Sequence, residues 1–118
     1  MLVLDVTAIE GLFHSHPPLW TMWKRADAER LELGLPAAAV VEAADLLGTT
    51  ASSWDAILWP TSVSVLPLTE RVAVEIGSYA GRSIGVRHAL WEARAMDCRL
   101  VTRDPTLYAP GVAKLLVV

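Results

Sequence analysis

The chain opens on an unbroken apolar run, Met1-Leu2-Val3-Leu4, that ends at a carboxylate, Asp5. A run without polar alternation suits a strand covered on both faces, as in the middle of a parallel sheet. Residues 1–7 are therefore read as the first strand, with Asp5 emerging at the sheet's C-terminal edge, where open α/β sheets hold their ligands. Thr7 is placed to cap a helix over 8–13, and Glu10 completes the spacing of a capping box. His14-Ser15-His16 reads as a turn, and a His-x-His pair without a third ligand nearby makes a poor metal site. Pro17-Pro18 opens a second helix. Its apolar face carries Leu19, Trp23, Ala26 and Leu33, and Gly34 is expected to end it.

Residues 35–38 read as a short extended piece, because the residue before Pro36 is pushed out of the helical region. A helix over 39–47 follows, stopped by Gly48, and a short helical segment over 49–59 closes at Pro60. Ser62-Val63-Ser64-Val65-Leu66 alternates polar and apolar residues and is a strand. Thr69 caps a helix over 70–80 that Gly81 ends. Ser83 caps another helix running to Met96, with Val86, Leu90 and Ala93 on its inner face. Residues 99–102 form a strand, 103–105 a turn, and 114–118 a last apolar strand. Strands alternating with helices predict one domain over 1–118: an α/β fold, a three-layer α/β/α sandwich around a mostly parallel sheet.

Composition narrows the class. With 53% hydrophobic and 19% charged residues the chain is not disordered. No apolar run approaches the ~18 residues of a membrane span, and no secretory leader is expected, because Asp5 and Glu10 interrupt the N-terminal apolar stretch. The one cysteine, Cys98, has no partner for an internal disulfide, so a reducing, cytoplasmic setting is the expectation. The net charge is −3, which argues against a general nucleic-acid coat. The balance is lopsided. Residues 1–60 hold 3 bases and 8 acids, and residues 61–118 hold 7 bases and 5 acids. This is read either as a basic half facing phosphates or as a mixed solvated surface.

Three carboxylates carry the candidate chemistry. Asp5 ends the first strand, Asp104 follows the strand closing at Thr102, and Glu42 lies in the first turn of the helix after Pro36. Parallel strands bring Asp5 and Asp104 to one edge, and Glu42 reaches that edge if its helix begins there. Two like unit charges ~4 Å apart repel by about 4 kcal/mol at an effective dielectric near 20. A cluster of acids therefore calls for a cation, and a hard divalent ion is the usual one. Solvated or helix-capping carboxylates are the alternative.

Leu4-Asp5-Val6-Thr7, then Leu35-Pro36 followed by Glu42, then Leu100-Val101-Thr102-Arg103-Asp104 after an Ala-containing helix, together resemble the PIN domain. The resemblance implies a small α/β nuclease fold that cuts RNA with Mg²⁺ or Mn²⁺. It implies Asp5, Glu42 and Asp104 as catalytic and metal-binding residues, with Thr7 and Thr102 as hydroxyl partners. It further implies a relation to VapC-type toxins held in check by a small antitoxin protein, and a homodimer. One departure stands out. The family's further acid, at the start of the helix before the last group, falls at or near Val86, whose neighbours Gly85, Arg87 and His88 are not acids. His88 and Glu92, four apart on that helix, read as a weak surface pair.

Two functions stay open at this point: a metal-dependent endoribonuclease, and a degenerate, non-catalytic PIN-like domain that binds RNA or protein. The five tryptophans, Trp54 and Trp59 above all, are divided between core packing and a partner surface.

Overall fold

The computed structural model describes residues 1–79 and 82–118. Five strands, β1 (Leu2–Leu4), β2 (Leu33–Pro36), β3 (Val63–Leu66), β4 (Arg99–Thr102) and β5 (Lys114–Val117), form one parallel sheet in the order β3-β2-β1-β4-β5. Helices α1 (Val6–Phe13) and α2 (Pro17–Glu29) connect β1 to β2, and α3 (Ala37–Leu47) and α4 (Ala51–Ile57) connect β2 to β3. Helices α5 (Glu70–Gly77) and α6 (Ile84–Ala95) lead to β4, and a 3-10 turn, Pro105–Leu107, lies between β4 and β5.

The N-terminal run behaves as its composition dictates. Val3 and Leu4 are both fully buried, on opposite faces of β1. Leu4 packs with residues of α1 to α4, including Ile9, Leu12, Leu19, Ala39 and Ile57. Val3 packs with Val86, Ala89 and Ala93 of α6. Val101 and Leu100 divide in the same way on β4. Helices cover both faces of the sheet, so the molecule is a three-layer α/β/α sandwich. Among the described residues, no helix is long and apolar enough to cross a membrane.

Strand order reverses direction at β1, which pairs β2 on one side and β4 on the other. Chain connections leave the C-terminal ends of β1 and β4 toward opposite sides, opening a crevice there, the usual ligand position of a doubly wound sheet. Asp5 and Asp104 both follow strands that end at this crevice.

Several boundaries differ from the sequence expectation. β1 stops at Leu4, and Val6 already begins α1. α2 ends at Glu29, with Arg30 in the left-handed region at φ 53°. Leu33 and Gly34 belong to β2, where Leu33 pairs with both Leu2 and Val63. The helical spacing of Leu33 is outweighed by two backbone ladders and by complete burial between neighbouring strands. α3 then starts at Ala37, two residues earlier than expected, and ends as expected at Gly48, at φ 62°, a conformation that glycine adopts without a Cβ penalty. α5 ends at Gly77, and the expected helix end at Ala80 and stop at Gly81 lie outside the described residues.

The tryptophans divide. Trp54 is buried edge-on against Phe13, with ring centroids 4.7 Å apart, and its indole N–H donates to Thr49 Oγ1 at 2.8 Å. Trp20 stacks on Trp23 at 4.8 Å. Trp59 alone stands out in solvent, at 86% exposure.

Candidate functional site

Asp5 is completely inaccessible to solvent. It is the N-cap of α1, a role the sequence assigned to Thr7. Its Oδ1 accepts the Ala8 backbone N–H at 2.9 Å and the Thr7 hydroxyl at 2.7 Å. An Asp at an N-cap satisfies one of the orphan N–H groups of the first turn and meets the positive end of the helix dipole. Its other oxygen, Oδ2, accepts the Tyr108 hydroxyl at 2.8 Å. Burial, and then the charge of Asp5, push the Tyr108 phenol far above its ordinary value. Tyr108 therefore stays protonated and donating.

Around this carboxylate the two threonines form a short relay. Thr7 Oγ1 accepts the Arg103 backbone N–H at 2.8 Å and lies 3.3 Å from Thr102 Oγ1. Thr102 is fully buried, and its Oγ1 accepts the Asp104 N–H at 3.0 Å. These bonds tie the end of β4 to the start of α1. Asp104 itself turns to its own loop, where its Oδ1 accepts the N–H and the hydroxyl of Thr106 and so caps the 3-10 turn.

Glu42 lies in the second turn of α3, not the first. Its Oε1 accepts the Gly85 backbone N–H at 2.6 Å. Gly85 is the second residue of α6, so Glu42 satisfies an orphan donor of that helix, and Ser83 Oγ satisfies another through Val86 N–H at 3.3 Å. The reverse contact also exists. His88 of α6 accepts the Ala38 N–H, in the first turn of α3, on its Nδ1 at 3.2 Å. Pro36, the N-cap of α3, makes no side-chain cap of its own. The two helices therefore cap each other.

His88 and Glu92 are not a surface pair. His88 is 0% and Glu92 8% exposed, and His88 Nε2 lies 3.2 Å from Glu92 Oε1. Because Nδ1 accepts from Ala38, the proton of a neutral ring sits on Nε2 and is donated to Glu92. Burial holds the His88 pKa below its ordinary 6.5, against the opposing pull of Glu92. The sequence put this pair outside because a His and a Glu four apart on one helix face read as a weak solvated pair. Only the packing of α3 on α6 covers that side.

Backbone packing is tight near Val86, where the resemblance leads one to expect a further acid. Gly85, not Val86, faces Glu42. A Cβ built on Gly85 would lie 2.8 Å from Val6 Cγ2, 3.0 Å from the Ala39 Cα and 3.0 Å from Glu42 Cδ. Gly85→Ala should therefore destabilise the protein by about 1–3 kcal/mol through overpacking, despite the helix preference for Ala of about 1 kcal/mol. Thermal or urea unfolding of the variant checks this, and Gly85→Asp should be worse.

Asp5, Glu42 and Asp104 are thus at one edge, yet each is engaged with a separate partner. Among the described residues, no group of three or more His, Cys, Asp or Glu side chains is placed to hold a metal ion. Tyr108, which the sequence reading passed over, holds the centre of the site. Its only signal is an aromatic residue four positions after Asp104, in the segment between β4 and β5.

No family model matches the chain, and no curated protein matches it. Among solved structures it is similar to PAE2754 from Pyrobaculum aerophilum, known from its crystal structure, with a TM-score of 0.56 and 21% sequence identity. The likeness covers 97% of this chain and 89% of that one. It extends over the whole sandwich, and what it shows is a shared α/β fold.

Proposed function

We propose that this chain is a degenerate, non-catalytic PIN-like domain that works by binding RNA or a small protein rather than by cutting RNA. The observation that carries this reading is the Tyr108 hydroxyl on Asp5. With Thr7 and Ala8 on the other oxygen, the carboxylate is sealed from solvent and its acceptor capacity is largely used. Mg²⁺ keeps several of its waters and needs near-octahedral access to oxygen ligands. A buried, triply bonded Asp5, a Glu42 committed to a helix N-terminus and an Asp104 committed to a turn do not fit that demand. The Cβ-free wall at Gly85 leaves no space for the family's further acid. The exposed Trp59 gives the binding reading a surface on which a partner could gain contact area.

The test is direct. The protein is incubated with single-stranded RNA in Mg²⁺ or Mn²⁺, beside an Asp5→Asn variant, and Mn²⁺ is titrated by calorimetry. Cleavage is expected to be indistinguishable between the two proteins, with no Mn²⁺ binding tighter than about 1 mM. Mn²⁺-dependent cleavage that disappears in Asp5→Asn would return the chain to the endoribonuclease reading, with Asp5, Glu42 and Asp104 as its metal ligands.

A further inference from the structure

The described part of the chain holds a second feature, on the α6 side of Tyr108. A cleft of about 570 Å³ lies between α6 and the 105–112 loop, within the usual range for small-molecule sites. Among the described residues, Arg82, Arg87 and Arg94 line it, with Tyr79 and Tyr108, and no Asp or Glu does. This is unexpected in a protein of net charge −3.

The arginines are arranged rather than scattered. Arg87, Leu90 and Arg94 recur at helical spacing on one face of α6, which sets the two cations about 10 Å apart along the axis with an apolar residue between them. Arg82 reaches across from the start of α6, and its Nη2 donates to the Thr106 carbonyl at 3.2 Å. Arg87 Nε is buried and has no acceptor among the described residues. A buried donor without a partner is uncommon and calls for an acceptor. Among the described residues, none of the three arginines forms an ion pair with an acid. The Tyr108 hydroxyl is already given to Asp5, so its ring is what remains for a ligand.

We propose that this cleft binds a nucleotide-sized organic phosphate, such as a nucleoside diphosphate. Arginine forks hold the phosphoryl oxygens, matching their planar two-donor geometry. The ligand's ring lies along Leu90 and the tyrosine rings. The volume suits one such unit. The cleft uses none of Asp5, Glu42 or Asp104, so it stands whether or not the acidic edge is catalytic.

Calorimetry on the full chain tests it, with ADP, adenosine, inorganic phosphate and a short single-stranded RNA as separate probes. ADP is expected to bind with a Kd below about 1 mM and more tightly than phosphate or adenosine. Arg87→Gln should weaken ADP about tenfold or more, as expected for loss of a charge-assisted contact. Arg94 is exposed, so Arg94→Gln is a second variant safe for folding, and it should also weaken ADP. Arg99→Gln, which removes the same charge from β4 outside the cleft, should not. The proposal is overturned if ADP binds no better than phosphate, if Arg94→Gln binds ADP like the parent, or if only the RNA binds in an arginine-dependent way.

Discussion

Asp5→Ala should lower the free energy of unfolding by about 3–5 kcal/mol, a large share of the 5–15 kcal/mol typical of a domain. The variant loses an N-cap, worth about 1 kcal/mol. It also leaves the buried Tyr108 hydroxyl and Ala8 N–H, and the half-buried Thr7 hydroxyl, without their acceptor, and each buried unmet donor costs about 1–3 kcal/mol before local relaxation. Tyr108→Phe removes one of these bonds from the other end and should cost about 1–3 kcal/mol. Asp5→Asn keeps an acceptor for α1 and should cost less than Asp5→Ala. Urea unfolding followed by tryptophan fluorescence measures all three. The sign is diagnostic. A carboxylate held in an open metal pocket repels its neighbours, and its removal stabilises the metal-free protein. Stabilisation in Asp5→Ala or Tyr108→Phe would contradict a structural role for the pair.

The second large effect belongs to His88. His88→Ala takes away the acceptor for Ala38 N–H and the donor to Glu92, and it leaves a void where a fully buried ring stood. A loss of about 3–5 kcal/mol near neutral pH follows from the unmet groups together with the cavity. Glu92→Gln keeps a carbonyl acceptor for Nε2 and should cost about 1 kcal/mol. The pair also imposes a pH dependence. The folded pKa of His88 lies below 6.5 and the unfolded value is near it. Below that pH the unfolded chain takes up the proton more readily, so stability falls as pH drops from 6.5 toward the folded pKa and is unaffected well above it. Protonated Nδ1 would face the Ala38 N–H, donor against donor. The gap in stability between the parent and His88→Gln should therefore narrow on acidification. A gap that stays constant from pH 7.5 to 5 would show that His88 does not titrate on unfolding.

Both predictions act on contacts that join distant parts of the chain, and this marks the limit of what could be read from residues alone. The two-sided burial of Leu2–Leu4 and the alternation of strands and helices were legible because periodicity directly reports how many faces of a segment are apolar. The caps at Thr69 and Ser83 and the stop at Gly48 were legible because they act within one helical turn. Leu33 and Gly34 were misplaced because two neighbouring strands, not local spacing, recruited them into β2.

The site divides in the same way. By itself the sequence determined the three-layer α/β architecture and the placing of Asp5 and Asp104 at one sheet edge, since strand direction alone carries both. Only the tertiary structure decided what those acids touch. Tyr108 meets Asp5 across 103 positions, Glu42 meets Gly85 across 43, and His88 meets Ala38 across 50. A hydrogen bond requires its partners within about 3 Å in a suitable direction. That precision comes from how helices seat on the sheet, at a Gly85 with no room for a side chain, and no local pattern of residues encodes it.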